Sequence, residues 1–336
     1  MNDGTKCVRS TAVLLLLIVF PCAAVIVSLF VGRYALSPSV VLSARFHPAS
    51  VPHAAAVTVR QLRLPRALAA AFVGASLSCS GAAFQSVFRN PLVNSGILGV
   101  SNGAGFGACL AIVCFGGGVF TYGLSFLFAV VAVVLSYFAG RIAGRQTVIM
   151  LILGGTIVSS FFAALVSMFK YIADPYSQLP AITFWLMGSF ASVGMPHLAA
   201  LIPMSAGMGI ILLCRRKIDV LSMGEREAAS LGVDVRLMSV LVIGGATLCT
   251  ASSVCISGTI GWVGLVIPHV CRMLVGSENA KLIPASISLG AGFLVLIDLV
   301  SRSLSGSEIP IGILCALIGT PFFIYLLKTR KGGGWL

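Results

Sequence analysis

The sequence predicts an all-α fold: a polytopic transmembrane bundle of about ten helices, forming a single domain over residues 1–336. Of the 336 residues, 58% are hydrophobic and only 9% are charged, whereas soluble domains carry about 25% charged residues. Apolar runs of about 20 residues, long enough for a helix to cross the hydrocarbon core, recur along the whole chain. The acidic residues lie outside these runs, apart from Asp298 and Glu308 near their ends.

Each span is predicted from one apolar run. The first run is too long for the apolar core of a typical signal peptide and lacks a clear cleavage site, so it is predicted to be a span. Ser257-Gly258 divides the nearly continuous stretch 237–276 into two spans. The stretch 171–185 carries two tyrosines and a tryptophan, which suit an interfacial or re-entrant segment. The predicted spans are 11–32, 62–88, 95–115, 119–140, 148–169, 195–214, 237–257, 260–276, 282–300 and 308–328.

The orientation is predicted from Lys and Arg, which concentrate in short cytoplasmic loops. Basic residues precede the first span and follow every second span, which predicts that both termini are cytoplasmic and that the number of spans is even. The net charge of +13 suits loops that face anionic headgroups and predicts no nucleic-acid partner. The basic residues on this side are Lys6, Arg9, Arg89, Arg141, Arg145, Arg215, Arg216, Lys217, Arg272, Lys281, Lys328, Arg330 and Lys331.

Other arginines lie at the opposite end of the predicted bundle, against the usual bias. Arg60, Arg63 and Arg66 recur every three residues in RQLRLPR, and a helix would bring them near one face. They either anchor the helix end in the headgroup region or form a basic patch that receives carboxylates of a soluble partner. Arg302 has a simpler partner within reach, because Asp298 lies four residues before it.

Several classes of function are disfavoured by what the predicted spans lack. Ion-coupled carriers use ionisable groups at mid-membrane, and these spans carry no such carboxylates. The ten cysteines and four histidines are dispersed, which predicts no metal site, and no polar cluster suggests a membrane-embedded enzyme. The sequence has no G-x-x-x-x-G-K-[ST] motif, so any ATP and Mg would be bound by a separate chain and no cofactor is expected on this one.

The largest internal hydrophilic segment, 214–239, lies on the predicted cytoplasmic side. Ser222 and Glu225 have the S-x-x-E spacing of a capping box. Glu225 and Glu227 suit the positive start of a helix, and Gly232 suits its end. These signals predict a short helix over about 223–231, which either connects two spans or fills a cleft on a partner.

Two interruptions of helices are predicted. Asn90-Pro91 ends the second span, because proline lacks an amide donor and restricts the residue before it. After it, Gly99, Gly103 and Gly107 recur every four residues and offer a smooth face for close packing. The second interruption is predicted over 257–268. Ser80-Gly81, Pro91 and Gly99 recur 177 residues later as Ser257-Gly258, Pro268 and Gly276.

This offset aligns spans that run in opposite directions, which suggests an inverted internal repeat. Non-helical backbone at membrane depth is tolerated only where it is buried in protein or faces a watery cavity. The prediction therefore places both interruptions beside a translocation path. The residues predicted along that path are Asn90, Pro91, Asn94, Ser101, Asn102, Ser257, Gly258 and Pro268.

Four stretches, in order along nearly the full length, resemble the FecCD-type permeases, which include the vitamin B12, haem and iron-siderophore importers. They are RLPRALAAAFVGASLSCSGAAFQSVFRNPLVNSGILGVSNGAGFGA (63–108), GEREAASLGVDV (224–235), SGTIGWVGLVIPHVCRML (257–274) and SEIPIGILCALIGTPFFIYLL (307–327). The resemblance implies the membrane subunit of an ATP-binding-cassette importer in the cell (inner) membrane. It also implies a homodimer or a pair of similar permeases, with the path along the dimer interface. Two cytoplasmic ATP-binding subunits and a periplasmic or lipid-anchored substrate-binding protein would complete the complex.

The resemblance also implies roles for particular residues. The ATPase contact corresponds to Glu225, Arg226, Glu227, Leu231, Gly232 and Val233. Docking of the binding protein corresponds to Arg63, Arg66 and Arg302. An inner gate corresponds to the turn at Gln146, Thr147 and Val148, where the match to the family is poor.

The cargo is not fixed by these motifs. The B12 branch of the family has an acidic residue and a second proline where this chain has Asn94 and Ser95. The first expectation is a bulky metal chelate, either a ferric siderophore or haem. Cobalamin and a small oxyanion such as molybdate are the alternatives.

Overall fold

The computed structural model describes residues 3–140, 148–304 and 307–329, and every regular element in these ranges is helical. Two short 3-10 segments and one π-helical segment, Thr58–Arg63, accompany the α-helices. The α-helices are α1 (Asp3–Phe30), α2 (Pro38–Phe46), α3 (His53–Val57), α4 (Leu64–Val87), α5 (Val100–Phe115), α6 (Val119–Ala139), α7 (Val148–Ile172), α8 (Gln178–Met187), α9 (Leu201–Met223), α10 (Glu225–Ser230), α11 (Val235–Ser257), α12 (Val263–Val275), α13 (Asn279–Ser303) and α14 (Ile311–Thr329).

Ten apolar helices within the described residues correspond to the ten predicted spans. Six are long and apolar enough to cross a membrane, and four shorter ones, in α1, α5, α12 and α14, bring the number to ten. The interruption predicted after Ser257 is present, because α11 ends there and α12 begins at Val263. The predicted end of the sixth span at residue 214 is wrong. Arg215, Arg216 and Lys217 are good helix formers, and α9 continues through them to Met223.

The bundle is organised around α4. Its most apolar window is 83% buried, compared with 28% for α7, and it packs against α9, α11, α12 and α13. Glycines allow two of these helices to approach closely: Gly74 faces Gly290 of α13, and Gly81 faces Gly264 of α12. A Cβ atom on either α4 glycine would overlap the neighbouring backbone. The helices therefore meet backbone to backbone, as small residues permit in membrane proteins.

Helices α5, α6 and α7 pack together beside this centre. Gly103 and Gly107 lie against backbone carbonyls of α6, which confirms their predicted packing role. Gly99 has a different function, because it precedes α5 with a left-handed φ of +81°. The Phe106 and Phe128 rings meet edge to face at 4.7 Å in the same group.

Helix α8 is too short to cross the membrane. Its ten residues rise about 15 Å, half of a hydrocarbon core of about 30 Å. The turn before it is closed by Asp174, which accepts hydrogen bonds from the Ser177 hydroxyl (2.5 Å) and amide (2.7 Å). These bonds hold the pKa of the exposed Asp174 carboxyl below its usual value. After α8, the Gly188 carbonyl accepts the Ile311 amide at the start of α14 (2.9 Å), so the segment is a half-helix that ends inside the bundle.

The 177-residue offset does not bring equivalent features into equivalent places. Gly81 lies inside α4, whereas Gly258 follows the end of α11 with φ +66°. Pro91 lies in an interruption, whereas Pro268 lies inside α12. The inverted repeat therefore stays a prediction.

Candidate functional site

A cavity of about 680 Å³ lies between the second interruption and the start of α5, the helix that follows the first interruption. Ser101 and Asn102, in the first turn of α5, line one wall, and residues 259–262 of the second interruption line another. The end of α8 and the start of α14 complete the lining. None of the described residues that line this cavity is charged. Its polar groups are hydroxyls, one carboxamide, one indole and backbone.

The first interruption begins where α4 ends. Arg89 adopts a left-handed φ of +49°, and the Asn90 amide donates to the Gln85 carbonyl (3.1 Å). This is the bond that defines a Schellman helix end. Pro91 then follows at a position where its missing amide costs no hydrogen bond. The predicted end of the second span at Asn90-Pro91 is therefore confirmed within three residues.

Asparagine side chains hold the rest of this interruption. Asn90 Oδ1 accepts the Leu92 amide (2.9 Å), and Asn94 Oδ1 accepts the Gly96 amide (3.0 Å). Both form Asx turns, which replace helical hydrogen bonds. Asn102 Nδ2 donates to a backbone carbonyl of α7 (3.1 Å) and ties the cavity wall to that helix.

The second interruption is held against α8. Gly258 has φ +66°, and a side chain there would overlap the Trp185 carbonyl. The Ser257 carbonyl accepts the Ser189 amide (2.8 Å) just after α8. The prediction that Pro268 marks this interruption is wrong: it is a buried residue inside α12. The apolar residues before it already form the first turns of that helix.

Trp262 belongs to the cavity but was not predicted. It has φ +69°, which is strained for a residue other than glycine, and it directly precedes α12. Its indole covers Gly319 of α14, where a Cβ would come within 2.8 Å of the ring. A large aromatic residue between glycines, in the stretch GWVG, is the signal that could have identified it.

A second cavity, of about 700 Å³, opens near α10. Of the predicted path residues, Asn90 and Pro91 line this cavity, and Ser101 and Asn102 line the first one. The others line neither cavity; they are Asn94, Ser257, Gly258 and Pro268. Gln85 connects the helices in the wall of this second cavity through hydrogen bonds. Its Oε1 accepts from Arg272 Nη1 (2.5 Å), and its Nε2 donates to the Gly264 carbonyl (3.3 Å). Gln85 is thus a second residue that the sequence analysis missed.

The short helix predicted over 223–231 is α10. Gly232 has φ +78°, and the Val233 amide donates to the Ala228 carbonyl (3.0 Å), so the predicted glycine end is confirmed in Schellman form. Ala228 is fully buried and anchors α10 to the bundle. Of the side chains predicted to contact the ATPase, Leu231 is 63% exposed, and Glu225, Arg226 and Glu227 are exposed as well. Val233 differs, because it is partly buried and packs against the core of the bundle.

The predicted capping box at the start of α10 is wrong. Ser222 still belongs to α9, and its hydroxyl donates to the Asp219 carbonyl (2.6 Å). The residue before α10 is Gly224. Because α9 runs nine residues further than predicted, only a single residue separates it from α10.

The three arginines predicted to dock a partner are buried at the opposite end of the bundle. Arg66 pairs with Asp298 (2.7 Å) and Glu308 (2.8 Å). Arg302 lies 3.6 Å from Asp298, as the simpler interpretation of that residue expected. Arg63 donates to backbone carbonyls at the end of α1, including Leu29 (2.8 Å). The exposed fractions of Arg63, Arg66 and Arg302 are 4%, 8% and 7%.

Arg60 does not share their face. It is exposed, because the π-helical segment Thr58–Arg63 changes the register that a regular α-helix would keep. The buried arginines border a small cavity of about 170 Å³, together with Arg33 and Glu308. With Asp298 and Glu308 as the carboxylates of this cluster, the end of the bundle is net positive, and the docking role stays a prediction.

A model of the FecCD transport family matches residues 15–329. The chain belongs to the FecCD transport family. It is 43% identical to the molybdate import system permease protein MolB of Haemophilus influenzae, covering 92% of this chain and 93% of that protein. It is 38% identical to the cobalamin import system permease protein BtuC of Halobacterium salinarum, covering 84% of this chain and 76% of that protein.

A solved structure described as an inward-facing ABC transporter of metal-chelate type is also similar to this FecCD permease. The TM-score is 0.83 at 40% identity, covering 96% of this chain and 99% of that one. This chain is therefore a permease of the ABC-importer type, and its relatives carry names with different cargoes.

Two further predictions concern the inner gate and metal binding. Gln146 and Thr147 of the predicted gate lie outside the described residues, and Val148 begins α7. Within the described ranges, no three His, Cys, Asp or Glu side chains come close enough to hold a metal ion.

We expect Asp298→Ala to destabilise the permease strongly, because it leaves the buried guanidinium groups of Arg66 and Arg302 without their shared carboxylate. Removing one partner of a buried ion pair costs about 3–5 kcal/mol. The free energy of unfolding in detergent, from denaturant titration, measures this. Lys281→Ala is the matched control on the same helix, since it breaks the exposed Glu278–Lys281 pair (2.7 Å) and should cost at most about 1 kcal/mol. Equal losses for the two variants would contradict the network.

Proposed function

We propose that this FecCD permease imports a bulky metal chelate, such as a ferric siderophore or haem. The observation that carries the proposal is the uncharged cavity between the second interruption and the start of α5. A chelate encloses its metal in an organic ligand and presents mainly hydroxyl, amide and aromatic surface. Walls that offer Asn102, Thr259 and Trp262 without fixed charge match such a surface, since fixed charges inside a membrane are costly.

A second candidate cargo is an oxyanion such as molybdate. It is favoured by the 43% identity to a permease named for molybdate import. Cobalamin is the other alternative cargo, and it is favoured by the 38% identity to a permease named for cobalamin import.

The proposed assembly contains two permease subunits, as a homodimer or with a similar permease. On the isolated chain, Ala163, Ser167 and Ile313 of the cavity wall are exposed, and a second subunit would cover them. The complex would lie in the inner membrane with both termini cytoplasmic, as the distribution of Lys and Arg favours.

Two cytoplasmic ATP-binding subunits are proposed to power this complex, with ATP and Mg bound there, so that this chain is not itself an enzyme. The proposed contact is α10. Its charged side chains point outward while Ala228 holds it to the bundle, which is the geometry of a helix that fills a groove on a partner.

The net-positive end of the bundle is proposed to receive acidic side chains of a periplasmic or lipid-anchored binding protein. Arg63, Arg66 and Arg302 border the small cavity there and set its positive potential from within. Arg33 is the arginine of this cavity that is exposed on the surface.

We expect the reconstituted complex with its ATP-binding subunits and binding protein to hydrolyse ATP faster when a ferric siderophore or haem is supplied. The measurement is ATPase activity in proteoliposomes with ferric hydroxamate, haemin, cobalamin and molybdate compared. Stimulation by molybdate alone would favour the second candidate. Uptake driven by an ion gradient without ATP would contradict the importer itself.

We expect Gly232→Val to separate ATP hydrolysis from transport. A β-branched residue at φ +78° costs about 1–3 kcal/mol of strain, which would unwind the end of α10. The ATP hydrolysed per cargo molecule should rise severalfold. Gly232→Asn is the control, because Asn adopts the left-handed conformation more readily; loss of coupling in both variants would argue against a conformational cause.

We expect Arg33→Glu to slow association of the binding protein about tenfold at low salt, as charges at an interface rim act mainly on the association rate. Arg60→Glu makes the same charge change on a nearby exposed residue outside the cavity and should have a smaller effect. Surface plasmon resonance at two salt concentrations measures both, and co-purification with the ATP-binding subunits should be unchanged. Equal rates for Arg33→Glu and wild type would refute docking at this cavity.

A further inference from the structure

Three helices are joined at the side chain of Asn279, the first residue of α13. Its backbone amide and its Nδ2 both donate to Asp219 Oδ1 of α9 (2.8 and 2.7 Å). Its Oδ1 accepts from the Ser86 hydroxyl of α4 (2.8 Å). Asn279 is only 2% exposed, so these bonds are shielded from water, and two of them involve a carboxylate, which strengthens them.

One end of this chain of hydrogen bonds lies next to α10. Asp219 is in the last turn of α9, four residues before that helix ends at Met223. Gly224 alone separates α9 from α10. A displacement of α10 therefore acts directly on the turn that carries Asp219.

The other end lies at the start of the first interruption. Ser86 is the penultimate residue of α4, and its neighbour Gln85 is bonded to Arg272 of α12 and to the Val93 carbonyl inside the interruption (3.2 Å). Movement passed to Ser86 therefore reaches both the non-helical backbone and α12, the helix that Trp262 precedes.

We propose that Asn279 is a positioning residue that transmits movement of α10 to the end of α4, and through it to the first interruption and to α12, whose preceding residue Trp262 lines the uncharged cavity. This inference rests on the proposed function, in which α10 contacts the ATP-binding subunit. Displacing Asp219 without Asn279 would leave two donors of a buried residue unsatisfied, so the two move as a unit. A residue that only held the helices together would affect stability, but not the ratio of ATP hydrolysed to cargo transported.

The test is an exchange of the two side chains in the complete complex, reconstituted with its ATP-binding subunits and the cargo that stimulates the wild type. Asn279→Asp places two carboxylates against each other and breaks the link. In the double variant Asp219→Asn/Asn279→Asp, the amide at position 219 can donate to the carboxylate at 279, and its oxygen can accept the backbone amide. The Ser86 hydroxyl keeps an acceptor, so every hydrogen bond is restored and only the bond between the two side chains changes direction.

We expect Asn279→Asp to raise the ATP hydrolysed per cargo molecule at least fivefold, and the double variant to return it to within twofold of wild type. A wild-type ratio in Asn279→Asp would overturn the proposal, and so would a failure of the assembled double variant to recover. If Asn279→Asp does not fold, Ser86→Ala removes only the link to α4 and should raise the ratio in the same direction; an unchanged ratio would overturn the proposal.

Ser222→Ala is the matched control, because this serine lines the second cavity together with Ser86 and Asn279 but its bond goes to the Asp219 backbone. Its ratio should stay at the wild-type value, and a rise equal to that of Ser86→Ala would overturn the specific role of Asn279. A wild-type complex without cargo-stimulated ATPase activity would instead refute the proposed function, and with it the proposed role of Asn279. The wild-type measurement thus separates the two failures.

Discussion

The backbone contact between α4 and its neighbours is the constraint on which the rest of the bundle depends. Gly74 and Gly81 admit α13 and α12 to a distance at which no side chain fits between the backbones. Helices packed in this way are either in contact or apart, because a close-packed interface resists small displacements. Because α13 carries Asn279 at one end and Asp298 at the other, a single close contact fixes the position of the polar networks at both ends of the bundle.

The charged groups and the neutral polar groups occupy different parts of the bundle. Charged and amide groups are gathered at the two ends, where Arg66 and Asp298 form one network and Asp219 and Asn279 form the other. The cavity between the second interruption and the start of α5 has only neutral groups on its described walls. The buried charges at the ends are offset by their partners, as Arg66 is by Asp298, because an unpaired buried charge is costly.

The sequence predicted what depends on neighbouring residues and missed what depends on distant ones. Hydropathy located ten helices, and Gly232 correctly marked the end of α10, because both signals are local. The burial of Arg63 and Arg66 was not predictable, since their partners come from the end of α1, from α13 and from Glu308. The predicted capping box at Ser222 was wrong, because tertiary packing extended α9 past this serine, which a rule based on neighbouring residues could not detect.

The uncharged walls of the central cavity have a consequence for the order of chemical events. A bare metal ion entering there would exchange its hydration shell for a few hydroxyl and amide dipoles, which cannot repay the loss of solvation. A chelated ion keeps its coordination sphere and loses almost nothing. Under the proposed chelate cargo, the ligand would cross with the metal, and the step that frees the metal, by reduction or by breakdown of the ligand, would belong to the compartment on the far side.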